Sequence, residues 1–364
     1  MSGLEQIAGK VERGDRLSFD EGVALYRSHD FFRIGRLANI VRERLNASFA
    51  YYNVNRHINY TNVCAIDCQL CQGASARKPG EEGGYTMQLD QVFRFAEQEY
   101  SESVTEFHIV GGLNPELPFS YYTDLLEGLR RRFPAVHMKA FTMVELDFFA
   151  KIARQPLEWV IGRLREAGMG SCPGGGAEIF AERARPLIAG HKISGKRWLE
   201  VAEAVHRMQI RSNATMLYGH IETLEERVDH LVRLRELQDR TRGFQCFIPL
   251  AFHPENTVYS HLPATTGQDD LKTIAVARLM LDNFPHIKAY WVTLTPGLAQ
   301  VALRFGADDL DGTIIEERII HGAGTPTERG MTRASIEKLI RDAGRVPVER
   351  DTLYNPVQRV SELV

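Results

Sequence analysis

Five cysteines among 364 residues are too few, and odd in number, for the disulfide framework of a small secreted fold. An excess of positive charge is missing too: 44 Lys and Arg stand against 47 Asp and Glu, so no basic field draws this chain to nucleic acid. Nowhere do 18 apolar residues run together, and the opening stretch MSGLEQIAGKVERGDRLSFDEG holds no apolar h-region. The expectation is a cytoplasmic protein with no membrane span and small-molecule partners. Neither G-x-S-x-G nor a Walker A string occurs, which removes the common hydrolase and nucleotide-phosphate readings. The 12 histidines are scattered without HExxH or paired spacing, so a separate catalytic zinc is not indicated.

What is present is an alternation. Residues 1 to about 48 read as helices, from the apolar spacing of FDEGVALYRS and FFRIGRLANIVRERLN. Beyond them, short β-branched or aromatic runs alternate with longer amphipathic stretches, the pattern of βα units around a parallel sheet. Eight runs read as strands: 51–58, 106–110, 136–141, a weaker one at 168–172, 211–218, 244–250, 287–292 and 308–313. Thr223 and Asp269 read as caps of the helices that follow them. Right-handed crossovers make an α/β fold, a (βα)8 TIM-type barrel, the simplest closure, with a partial six-strand barrel plus extensions as its variant. The expected layout is a helical segment over 1–48, the barrel over 49–313, and a helical extension over 314–364 packed on the barrel. Six strand runs end in polar or glycine-rich segments: INYTNVC, GGLNP, TMVE, PGGGAE, GHIET and AFHPEN. In a parallel barrel those ends share the rim where active sites are built, so the chain reads as an enzyme.

Three of the cysteines, Cys64, Cys68 and Cys71, fall within eight positions after the first strand run. Three thiolates on one short loop can hold three corners of a [4Fe–4S] cubane and leave the fourth iron open to a ligand. Zinc is the rival metal, with His57 as a fourth ligand, but structural zinc wants four protein donors and catalytic zinc draws its three from separate elements. An electron-transfer or sensing cluster is the non-enzymatic alternative. Cys172 and Cys246 are isolated and read as small core residues.

The triplet at this spacing, after the first strand of a βα barrel, resembles the radical S-adenosylmethionine superfamily. In that superfamily the open iron chelates the amino and carboxylate groups of S-adenosylmethionine, and an electron from the cluster yields methionine and a 5′-deoxyadenosyl radical. The residue before the third cysteine is commonly aromatic there; here it is Leu70, which still supplies an apolar wall for the adenine side. Gly111-Gly112 stands where the superfamily has a glycine-rich turn facing the methionine amino group, and carbonyls approach an ammonium closely only where no Cβ intervenes. Strings such as NRHINYTNVC, GGLNPELPFSYYTDLL, NATMLYGHIETLEERVDHL and FIPLAFHPENT are similar, in order, to the aminofutalosine synthase branch of menaquinone biosynthesis. The dehypoxanthine futalosine cyclase and the deazaflavin cofactor synthase subunit are the nearest alternatives.

That resemblance implies a carbon–carbon bond-forming transferase acting on 3-[(1-carboxyvinyl)oxy]benzoate. The adenosyl radical would add to its vinyl carbon, with loss of the carboxyl group as CO2 or bicarbonate, to give 6-amino-6-deoxyfutalosine. It also implies a reducing protein partner such as flavodoxin or ferredoxin. Two substrate carboxylates call for cationic or hydrogen-bonding anchors, for which the rim offers Arg56, His57, Lys139, His220 and His253. Gly174-Gly175-Gly176 with Glu178 reads as backbone against which substrate lies at the start of a helix, because three glycines cost entropy that a plain turn does not require. Glu145 and Asn213 are the candidates for ribose or amino-acid contacts to S-adenosylmethionine, although Glu145 also fits the first turn of a helix.

Overall fold

The computed structural model describes residues 3–66, 68–71, 75–98, 100–101, 103–314 and 330–358. Its strands are β1 (Phe49–Asn53), β2 (Asn55–Ile58), β3 (Glu106–Ile109), β4 (His137–Ala140), β5 (Ser171–Cys172), β6 (Arg211–Tyr218), β7 (Phe244–Ala251), β8 (His286–Ile287), β9 (Asp309–Gly312) and β10 (Val346–Glu349). Strands β2 through β8 pair in sequence order in one parallel sheet, which curls as a partial barrel with helices outside. A second parallel sheet has the order β10-β1-β9, and β9 also bridges to the end of β8 at Lys288↔Asp309. The (βα) barrel expected from the sequence is therefore present, with seven strands in continuous ladder and β9 spanning the gap.

Several expected boundaries differ. The run 51–58 is two strands, because β1 pairs with β9 and β10 whereas β2 pairs with β3. The run 287–292 is strand only at its start: after Ala289 the chain turns into the short helix Trp291–Leu294, and Trp291 Nε1 donates to Gly312 O at 3.0 Å. The tail contributes the helix Arg333–Asp342 and also β10, a strand not anticipated from its sequence. Residues 315–329 lie outside the described residues. Thr223 caps the helix Leu224–Thr241 in a reciprocal capping box with Glu226. Asp269 is not a cap: Thr266 caps the helix Gly267–Met280, and Asp269 N donates to Thr266 Oγ1.

Parallel strands covered by helices usually read as continuous apolar runs. Here three of them alternate: Asn-Arg-His-Ile in β2, Glu-Phe-His-Ile in β3 and His-Met-Lys-Ala in β4. With a side-chain period of two, Phe107 faces outward onto Phe133, with ring centroids 5.1 Å apart. Glu106, His108 and Lys139 face inward, together with His57. The ion pairs Lys139–Glu106 (2.7 Å), Lys288–Asp311 (2.9 Å) and Arg350–Asp309 (2.7 Å) are buried. The apolar mass lies in the helical layer, and the polar core points up toward the rim. Among the described residues no helix is long and apolar enough to cross a membrane.

Candidate active site

A cavity of about 530 Å³ opens at the C-terminal ends of the strands, within the range of roughly 300–1,000 Å³ that takes small-molecule ligands. The loop after β2 carries Cys64, Cys68 and Cys71 into its wall. That loop is tied at both ends: Cys64 N donates to Arg77 O (2.8 Å), Ala65 N to Leu113 O (2.9 Å) and Cys71 N to Cys68 O (3.0 Å). The Cys71 thiol hydrogen-bonds the Cys68 sulfur and pulls the Cys68 thiol down to about 6, while that hydrogen bond, ahead of burial, pushes Cys71 up. Leu70 is buried beside them on the cavity wall. Among the described residues no three His, Cys, Asp or Glu side chains close on a single-ion site. A cubane takes its thiolates at three separate iron corners, and three thiols presented from one loop into one cavity suit that donor set.

The turn after β3 packs directly on this loop. Gly112 N donates to Thr61 O (2.9 Å) and Gly111 N to Glu145 Oε1 (3.0 Å). A Cβ on Gly111 would sit 2.6 Å from the Tyr60 ring, and one on Gly112 would sit 2.2 Å from Val63 O. The second clash is with backbone that cannot swing aside. Gly112→Ala is therefore expected to push the turn and the cysteine loop apart by about 1 Å, a displacement that costs on the order of a hundredfold in turnover. Overpacking of this kind costs about 1–3 kcal/mol of stability. Single-turnover rates and thermal unfolding check the two effects separately.

Glu145 stands behind that turn. It forms a capping box with Thr142 at the start of the helix Met143–Ala153 and accepts from Tyr60 Oη (2.8 Å) and Gly111 N. Burial pushes its carboxyl up, against the hydrogen bonds from Thr142, Tyr60 and Gly111. It lines the cavity, yet its Oε1 is engaged by Tyr60 and the glycine turn and its Oε2 by Thr142 N. Asn213, on β6, is buried and lines the cavity rather than facing solvent, and its Oδ1 meets no donor among the described residues. An unpaired buried acceptor costs about 1–3 kcal/mol, which a ligand hydroxyl or amine would relieve.

The triple glycine also reaches the cavity, although no helix begins there. Its carbonyls are taken by protein donors: Thr215 Oγ1 on Gly174 O (2.7 Å), Trp198 Nε1 on Gly175 O (3.2 Å) and Arg185 Nη2 on Gly176 O (3.0 Å). Gly174 needs its missing Cβ because the Ala214 backbone lies 2.8 Å from where that atom would be. Glu178 lines the cavity in an ion pair with Lys192 at 2.6 Å. His57 and His253 line it as well, with His253 Nε2 3.0 Å from Thr293 O.

Three of the anchor candidates are elsewhere. Arg56 is an outward position of β2 and lies over the Phe95 ring at 4.4 Å, because neighbours in a strand face opposite ways. Lys139 points inward but is sealed beneath the cavity on Glu106. His220 is folded into its own turn, with Nδ1 2.7 Å from Ile221 N and 2.9 Å from Glu222 Oε2. Among the further residues that the structure brings to the cavity are the cationic or cation-forming Arg77, His108 and Lys192. For His108 the signal was there, two places after Glu106 in a strand that alternates.

The family model of the Radical SAM superfamily matches residues 58–234, and that of the CofH/MqnC C-terminal region matches residues 241–363. The chain is 51% identical to the aminodeoxyfutalosine synthase of Thermus thermophilus, covering 98% of this chain and 96% of that protein. It is 42% identical to the aminodeoxyfutalosine synthase of Streptomyces coelicolor, over 96% and 92%. A cyclic dehypoxanthine futalosine synthase of Halalkalibacterium halodurans is 35% identical, over 98% and 95%. Among solved structures, methylornithine synthase (PylB) superposes with a TM-score of 0.74 over 94% of this chain and 97% of that one, at 15% identity, which shows a shared fold.

Proposed function

This chain belongs to the radical S-adenosylmethionine superfamily, in the family of the aminodeoxyfutalosine synthases, and from that premise we propose how its cavity serves the reaction. The enzyme uses a [4Fe–4S] cluster and S-adenosylmethionine. It joins the adenosyl group to 3-[(1-carboxyvinyl)oxy]benzoate and yields 6-amino-6-deoxyfutalosine, methionine and CO2 or bicarbonate, a step of menaquinone biosynthesis. The observation that carries this reading is the meeting of the three-thiol loop and the Gly111-Gly112 turn on one cavity wall, in a chain with half its residues identical to such a synthase.

Cys64, Cys68 and Cys71 hold the cluster. When bound, it would supply the single electron that cleaves the sulfonium of S-adenosylmethionine into methionine and the 5′-deoxyadenosyl radical. The protein's own work is placement. The Gly111-Gly112 turn would hold the methionine ammonium, and Glu145 fixes that turn from behind. Leu70 walls the adenine side, and Asn213 Oδ1 accepts from a hydroxyl or amine of the ligand. His57, His253 and the backbone of Gly174, Gly175 and Gly176 border the space left for the second substrate, with Glu178 held in its ion pair. The leucine, isoleucine and phenylalanine walls at Leu217, Ile248, Leu250 and Phe252 exclude water from a reactive radical. A cytoplasmic flavodoxin or ferredoxin delivers the electron.

Anaerobic reconstitution followed by mass spectrometry tests the reading. With S-adenosylmethionine and the enol ether, the expected product retains adenine. Free 5′-deoxyadenosine accompanied by a cyclised product would place the chain with the cyclases instead. An unchanged electron paramagnetic resonance spectrum of the reduced cluster on adding S-adenosylmethionine would mark an electron-transfer centre.

A further inference from the structure

Beneath the cluster loop the cavity ends on two imidazoles. His57 of β2 and His108 of β3 are register partners, and their rings stack with centroids 4.4 Å apart and planes 10° from parallel. Both line the cavity. The His108 side chain keeps 22% of its surface, whereas Glu106 and Lys139 below it keep 0% and 2%. His108 is thus the deepest cation-forming group that a ligand entering from the rim can touch. The other cationic groups of the cavity are engaged or higher up: Lys192 is on Glu178, His253 is on Thr293 O, and Arg77 lies level with Cys64.

Taking the proposed substrate as its premise, we infer that the stacked His57–His108 pair is the seat of the benzoate carboxylate, so that this substrate binds aryl end first with its enol ether at the cluster. His108 lies three residues below Gly111, a rise of roughly 10 Å along a strand. That depth fits a benzene ring with its carboxylate beneath an enol ether held at the turn.

The groups facing His108 are His57 from β2, Glu106 (Oε1 3.9 Å from His108 Nδ1) from β3, Lys139 from β4, Lys288 beyond β8 and Asp311 from β9. The Arg350–Asp309 pair lies beyond them. The lysine, arginine and carboxylate charges cancel in pairs, so an entering carboxylate finds net positive charge only on an imidazole that carries a proton. Burial, His57 and Lys139 hold His108 well below the usual histidine value. The proton therefore arrives with the ligand, and an imidazolium then lies between the ligand carboxylate and Glu106. With His108 neutral in the free enzyme and protonated in the complex, benzoate affinity falls about tenfold per unit rise in pH.

Calorimetry of the reconstituted holoenzyme tests the seat with 3-hydroxybenzoate and phenol as probes, in two buffers of different ionisation enthalpy. The expected result is that 3-hydroxybenzoate binds with uptake of about one proton and phenol with none. In His108→Gln the uptake disappears, and 3-hydroxybenzoate weakens about ten- to a hundredfold, the worth of a hydrogen bond to a charged group. Phenol and S-adenosylmethionine affinities stay unchanged. A variant that still prefers 3-hydroxybenzoate over phenol by the wild-type factor overturns the proposal. Should the variant not fold, the wild-type protein decides: binding without proton uptake, or without preference for the carboxylate, overturns it. The product assay is read independently, since an adenine-bearing adduct with a failed seat leaves the reaction standing. Absence of the adduct rejects the reaction, while the calorimetry still judges the seat.

Discussion

Alanine in place of Cys64, Cys68 or Cys71 is expected to abolish turnover and cluster iron together while leaving the barrel folded. The loop's attachments are backbone hydrogen bonds, from Cys64 N to Arg77 O and from Ala65 N to Leu113 O, which loss of a sulfur does not touch. Cys64 and Cys71 are half-buried, and Cys68 is buried with its Sγ 3.6 Å from Ile188 O. The stability cost is accordingly about 0.5–3 kcal/mol, largest at Cys68. A cubane held at three corners tolerates no missing corner thiolate. Cys172→Ala and Cys246→Ala are the controls: both residues are fully buried in strands, and burial pushes both thiols up, Cys246 to about 12, as fits inert core cysteines. Iron content, the visible absorbance of the reconstituted protein and product yield are the readouts. Full iron in any of the triplet variants, or lost iron in the Cys246 variant, would reassign the cluster ligands.

Legibility in the sequence followed the range of the forces involved. The cysteine loop and the glycine turn were readable because their chemistry is local: three thiols in eight residues, and two adjacent glycines packed against Tyr60 and Val63. The barrel was readable from alternating patterns, and Thr223 with Glu226 was a cap that four residues define. Strand β10 was not readable, since Val346–Glu349 is a strand only because it pairs with Phe49–Tyr52, some 300 positions earlier. Asp269 looked like a cap because carboxylates favour a first helical turn, and Thr266 took the position with the better geometry. Of the five anchor candidates, His57 and His253 reach the cavity while Arg56, Lys139 and His220 lie elsewhere. Arg56 lies within β2 and His220 just after β6, and polarity alone does not say whether a side chain meets a ring outside, its own turn, or the cavity. The alternation in β2, β3 and β4 carried that information, and it places His57 and His108 inward and Arg56 outward.

Lys139 is the instructive case, and it sets the largest expected change in stability. Its Nζ lies 2.7 Å from Glu106 Oε2, with both side chains sealed from water. Lys139, ahead of His108 and Arg350, holds the Glu106 carboxyl well below the usual carboxylate range against burial. Burial outweighs that attraction at Lys139, whose ammonium is held below its usual value. The pair is thus favourable at the carboxylate and costly at the ammonium, as buried ion pairs commonly are. Lys139→Met strands the carboxylate and is expected to cost about 3–5 kcal/mol, whereas the double replacement Glu106→Leu with Lys139→Met removes both charges and recovers most of that loss. The pH dependence carries the sign. In the native protein the depressed Glu106 value contributes stability that is present above its unfolded value, near 4.3, and is lost as pH falls. In Lys139→Met burial raises the folded value instead, so stability is retained below about pH 4.3 and lost as pH rises toward neutrality. Urea unfolding of the three proteins between about pH 4 and pH 8 measures both the size and the reversal of slope. The single variant also leaves the cavity floor net negative beneath His108 and is expected to repel 3-hydroxybenzoate, while the double variant restores the cancelled charge and with it the binding. Equal benzoate affinity in the single and double variants would separate the ion pair from the seat above it and confine Lys139 to holding the barrel together.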